Sequence, residues 1–200
     1  MSSAAPAAGE EEILAELEAA GFRTDSLADL RHSGVGYREA VPILLDWLSR
    51  VQDRKVEEEI VRALTVPWAK PTATRPMIEE FRRVKPSDDP TGMGLRWTVG
   101  NAIFVLANDD VFEELVELVN ERGYGKSRQM VVLGLGKSKK PEAIEVLLGL
   151  VDDPEVDGHA IMALGKLRAK VARASLERKL DDDRAWVRAE ARKALAKLLQ

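Results

Sequence analysis

Apolar residues return along this chain at helical spacing, and five stretches share one arrangement. In each, an apolar or small residue is followed three or four positions later by another, and then by an Ala-Leu-like pair. The clearest copies are Val187…Ala191…Ala194-Leu195 and Val156…Ala160…Ala163-Leu164-Gly165. Ser127…Val131…Gly134-Leu135-Gly136 is a third, and Leu95…Val99…Ala102-Ile103 and Val56…Ile60…Ala63-Leu64 are weaker ones. Their first positions lie at 56, 95, 127, 156 and 187, so the intervals are 39, 32, 29 and 31 residues. That period marks stacked helical hairpins, in which no unit buries its apolar stripe alone.

The same pattern places the elements. First helices are predicted near 38–51, 74–84, 110–121, 140–151 and 170–180, and second helices near 55–66, 93–107, 126–137, 156–168 and 184–199. Pro42 and Pro141 suit the first turn of their helices, where the missing N–H costs nothing. Gly123 and Gly125 mark the third hairpin turn, Asp152-Asp153-Pro154 the fourth, and Asp181-Asp182-Asp183 the fifth, with the acids expected to cap the following helices. Ahead of the hairpins, Ile13, Leu14 and Leu17 form a stripe over 10–20, Gly21 is placed to end that helix in the left-handed region, and Asp25 or Ser26 can cap a short helix through Leu27 and Leu30. A turn follows at His32-Ser33-Gly34-Val35-Gly36. The expected organisation is a disordered 1–9, a helical cap over 10–36, and a solenoid over 37–200 that forms one domain with the cap. Two connections break the period: Pro67-Trp68-Ala69-Lys70-Pro71 and the long turn Lys85-Pro86-Ser87-Asp88-Asp89-Pro90.

The run Asp-x-Val-Arg-x-x-Ala-x-x-Ala-Leu, closest at 183–195 and repeated at 130–136 and 158–165, resembles the HEAT-like repeat, especially the short type of phycobilisome-lyase-like proteins. The resemblance spans about 37–200. It implies an all-α, right-handed α-solenoid of about five hairpins, with helix pairs in two layers and second helices lining a concave face. It also implies that the Arg after the Val joins a structural ladder between repeats. The equivalent positions here are Arg96, Arg128 and Arg188, with Glu57 and Asp157 in the other two repeats, so an interrupted ladder is expected. A fold of this kind serves many tasks and does not name one.

Composition narrows the chemistry. The 200 residues include no cysteine, which removes thiol nucleophiles, disulfides and thiolate metal sites. No run reaches the length of a membrane span, and the first residues lack the order of a signal peptide. A cytoplasmic protein is expected. Net charge is −4, yet residues 1–120 hold 13 basic and 22 acidic side chains, a net of −9, while 121–200 hold 17 and 12, a net of +5. Scatter over solvated faces is the ordinary source of such asymmetry; the alternative is a C-terminal half that meets an anionic partner.

Candidate catalytic groups weigh little. His32 and His159 are the two histidines and neither has a ligand-type residue at helical spacing, so no metal, cofactor or Ser-His-Asp site is expected. The acid pairs Asp88-Asp89, Asp109-Asp110 and Asp152-Asp153 sit at turns, where capping accounts for them. Gly134-Leu135-Gly136-Lys137-Ser138 lacks the strand and glycine spacing of a phosphate loop and reads as close helix packing with a stop at Gly136. Trp47 reads as core. Trp68, Trp97 and Trp186 either fill gaps or, beside arginines, mark a binding hot spot. The expectation is a non-enzymatic module, monomeric, that binds another protein on the concave face. Its candidate contacts are Glu57, Arg96, Trp97, Arg128, Asp157 and Arg188, with Trp68 and Arg75 near the long loop. The alternatives are a nucleic-acid binder akin to HEAT-like alkylpurine glycosylases, disfavoured by the acidic N-terminal half, a bilin-lyase-like protein, and a regulatory or toxin-neutralising subunit.

Overall fold

The computed structural model describes residues 9–85, 89–91 and 93–199. The expected disorder of 1–9 and the middle of the long turn fall, apart from Gly9, outside the described residues. Among these, twelve α-helices and no strands occur. Helices α1 (Glu10–Ala19) and α2 (Leu27–His32) come first. Five hairpins follow: α3 (Val41–Arg50) with α4 (Arg54–Leu64), α5 (Thr74–Arg83) with α6 (Leu95–Leu106), α7 (Phe112–Asn120) with α8 (Gln129–Leu135), α9 (Glu142–Gly149) with α10 (Asp157–Lys166), and α11 (Arg173–Arg178) with α12 (Ala185–Lys197). Each expected helix is present, and the arrangement is an α-solenoid.

Local chemistry explains the ends. The three acids of the first turn of α1 face the positive end of its dipole, and Gly21 follows it at φ +93°. Ser26 caps α2 by accepting the Asp29 N–H, and Asp53 caps α4 through the N–H groups of Lys55 and Val56. α8 is short because a 3₁₀ stretch, Arg122–Arg128, precedes it and kinks at Gly125, φ +52°. The acid triplet behaves differently from expectation. α12 has no side-chain cap. Asp182 instead accepts the Arg184 N–H and the Arg184 guanidinium, because an arginine two residues on competes for its oxygens.

Packing is asymmetric. The second helices touch in sequence, α2 on α4, then α6, α8, α10 and α12, whereas the first helices, after α1 on α3, stand further apart. Close approach on one side and wide spacing on the other favour a stack that bends toward the second helices. Glycines make the closeness possible. A Cβ on Gly136 would lie 2.9 Å from Ala163 Cβ, and one on Gly165 would lie 2.7 Å from Ala194 Cβ. The cap is itself a hairpin, since α1 joins the outer layer and α2 the inner one. The core is one seam between the layers, running from Ile13 to Leu198.

Candidate functional site

Five of the expected contact residues share one register of the repeat, in the first turn of each second helix or just ahead of it. All five are engaged within the chain. Arg128, 1% exposed, donates to Asp153 at 2.9 Å and to the Val119 carbonyl at 2.9 Å. Arg96 donates to the Phe81 carbonyl at 3.1 Å, and its guanidinium lies 4.8 Å from the Tyr124 ring centre. Burial lowers its pKa from the ordinary arginine value. Arg188 donates to the carbonyls of Asp182 and Asp183.

At the two acidic positions the ladder is not interrupted, contrary to expectation; its polarity is reversed. Asp157 is bonded by Arg184 of the following hairpin, with Lys179 at 3.6 Å. Glu57 accepts from Arg83 at 2.6 Å, and Arg83 also holds Glu80 at 2.8 Å. Burial and the adjacent Glu80 raise the Glu57 pKa against the pull of Arg83 and Arg54. An acid in the repeat position is thus met by an arginine supplied from the next repeat. Asp153 shows the opposite balance: burial opposes its charge, but the hydrogen bonds from Arg128 and the Glu155 N–H hold its pKa below the ordinary value.

The remaining candidates scatter. Arg75 bridges to Glu114 and the Asp110 carbonyl on the outer layer. Trp68 stands edge-on to Tyr37 at 5.6 Å, near the cap. Trp97 alone lines the exposed side of the second helices, in a hollow of about 260 Å³ with Arg31, Arg62, Thr65 and Asn101. Around Trp97 the lining side chains are polar, and the two arginines are paired: Arg62 with Glu58 and Glu59, and Arg31 with Glu59.

The other end of the same face has a different character, and sequence reasoning did not single it out. Phe104 of α6, Leu133 of α8 and Met162 of α10 line a hollow of about 210 Å³ rimmed by Lys166, Lys193 and Lys197. Met162 is 36% exposed. Beside Phe104, the Lys137 ammonium donates to the Phe104 carbonyl and lies 3.8 Å from the ring centre. Burial, with Lys70 and Lys166 nearby, lowers its pKa to about 8. Positions 137, 166 and 197 are one register of the repeat, separated by 29 and 31 residues, so the three lysines cap successive second helices near their C-termini. The signal was available: the +5 charge of residues 121–200 and the period together point to it. It was hidden because the ladder register drew attention to the other end of each helix.

Trp186 covers Gly158 and leaves no room for a Cβ there, and its ring meets His159 edge-on at 5.9 Å. It is a packing residue as well as a partly exposed one. His159 keeps its Nδ1 buried without a partner, and burial lowers its pKa. Among the described residues no cluster of three or more His, Asp or Glu side chains is placed to hold a metal, and no helix is long and apolar enough to cross a membrane.

Residues 96–196 match the family described as HEAT repeats. A search among curated proteins finds no match. The match covers the hairpins whose second helices build the apolar, basic end of the face.

Proposed function

Since the chain belongs to the HEAT-repeat family, whose members are commonly protein-interaction scaffolds, we propose that it is a non-enzymatic interaction module that holds a partner protein on the C-terminal part of its inner face. One observation carries this reading: an apolar hollow stands open on that face, floored by Phe104, Leu133 and Met162, and the positions equivalent to Leu133 and Met162 in the first two repeats are the polar Arg62 and Asn101. Apolar side chains exposed on a face and rimmed by polar ones are the usual mark of a protein contact. The ladder residues are spent inside the chain: Arg128, Asp157 and Glu57 tie neighbouring hairpins together, Arg96 and Arg188 hold carbonyls of their own hairpins, and together they position the helices that carry the site, which Trp97 extends toward the cap.

The test is affinity capture with three proteins: the wild type, Met162→Glu on the inner face, and Arg75→Ala on the outer layer. A protein retained by wild type and Arg75→Ala but lost by Met162→Glu supports the reading. Partners lost equally from both variants, or from neither, refute it.

A further inference from the structure

We propose that the Phe104–Leu133–Met162 hollow and the lysine row beside it form a dock for an acidic amphipathic helix of the partner, lying across the second helices. This rests on the interaction reading above and names the chemistry of its occupant.

The size of the hollow decides the first point. At about 210 Å³ it falls below the roughly 300–1,000 Å³ of pockets that enclose small molecules. It suits one or two apolar side chains carried by something larger. The charge decides the second. Among the described residues, no carboxylate lies within ion-pair distance of Lys137, Lys166 or Lys197, whereas Lys193 is already paired with Glu190 at 2.7 Å. Three cations at one register without a carboxylate partner among the described residues leave a positive edge to an apolar floor. The half-buried Lys137 gains most from a new anion, because burial and two other lysines already work against its charge.

Spacing decides the third point. Packed helices stand about 8–10 Å apart, which sets the spacing expected between equivalent positions on neighbouring second helices. In an α-helix, residues i and i+7 share a face and are separated by about 10.5 Å, seven rises of 1.5 Å. Acids seven apart therefore meet successive lysines, while the apolar residues at i+3 and i+4 reach the hollow. In an extended strand, residues three apart cover about the same distance but point to opposite faces. Nucleic acid fits less well, since the floor is apolar and Glu190 stands on the rim.

The experiment uses the full chain and a labelled synthetic amphipathic peptide with Leu on one face and Glu at seven-residue spacing. Binding is read by fluorescence anisotropy. Binding to wild type is expected to weaken with added salt and to fall about tenfold or more with Lys166→Glu or Met162→Glu. The outer-layer variant Lys170→Glu should bind as wild type does, and circular dichroism checks that each variant folds. No binding, equal binding of a peptide with Lys in place of Glu, or equal binding of one with a helix-breaking proline overturns the inference. So does a short DNA duplex that binds more tightly than the peptide. Should these fail while capture still maps to Met162, the interaction reading stands and only the acidic helix falls.

Discussion

Arg128 and Asp153 meet at 2.9 Å with side chains only 1% and 4% exposed, and they tie the third hairpin to the fourth. Both charges are withdrawn from water, so what holds them is each other and the Val119, Gly125 and Glu155 backbone groups around them, with the exposed Arg122 4.0 Å from Asp153. Removing Arg128 leaves Asp153 buried without its close partner, which costs about 3–5 kcal/mol. Arg128→Ala is expected to lose that much in chemical denaturation. Arg128→Met combined with Asp153→Leu should recover most of it, because the desolvation cost disappears with both charges. A double variant as weak as the single one would show that packing, not charge, is at stake.

The same ladder sets the response to acid. Asp153 and Asp182 titrate below the ordinary aspartate value, Asp182 at about 2 through hydrogen bonds from Arg184. A group with a depressed folded pKa contributes stability above its unfolded value, near 3.9, and loses it as pH falls through the folded pKa. Unfolding free energy should therefore drop between about pH 4 and pH 2. Glu57 has the opposite sign, since its folded pKa is raised; it favours the native state on acidification. That gain accrues as pH falls toward the unfolded glutamate value, near 4.3, so Glu57→Gln should lack it above about pH 4 and run parallel to the wild type below. Identical curves above about pH 4 would contradict the assignment.

The helices, their order and their stacking were legible because the apolar period survives every substitution of loops and charges: Val56, Leu95, Val156 and Val187 are each about 1% exposed or less. Gly136 was legible as a packing residue for the same reason. The ladder was only half legible. Glu57 and Asp157 read as gaps, because their arginines, Arg83 and Arg184, lie at other registers and reach back across a repeat boundary. The inner-face hollow was illegible for a related reason. Phe104 belongs to a different register from Leu133 and Met162, and their convergence depends on how far neighbouring helices shift along one another. A one-dimensional period does not contain that shift.

Leu164 and Leu195 occupy the same repeat position in the fourth and fifth hairpins. Leu164 is fully buried in α10, which packs on both α8 and α12, while Leu195 is only partly buried against the core, its α12 packing on one second helix, α10. Leu164→Ala is expected to cost about 2–5 kcal/mol, the range for buried leucines with a cavity left behind. Leu195→Ala should cost clearly less. Equal losses in denaturant melts would mean that the last hairpin is stabilised by more than its one neighbour.

One substitution should act with opposite signs at two glycines. At Gly165 an added Cβ would lie 2.7 Å from Ala194 Cβ and 2.8 Å from Ala194 Cα. The obstacle is the backbone of α12 and the first atom of its side chain, neither of which can rotate away, so α10 and α12 must separate. Overpacking of that kind costs about 1–3 kcal/mol, and here it also opens the inner face next to Met162 and Lys166. At Gly149, the last residue of α9, nothing lies within 4 Å of the added Cβ, and alanine restricts the unfolded chain and favours the helix by up to about 1 kcal/mol. Gly165→Ala should therefore lower the melting temperature and Gly149→Ala should raise it. If close approach of the second helices is what curves the stack, Gly165→Ala should also loosen the end of the solenoid, seen as faster amide exchange in α12 than in α4. Uniform exchange, with the melting temperature unchanged, would mean that the inner layer tolerates wider spacing and that glycine is not what sets it.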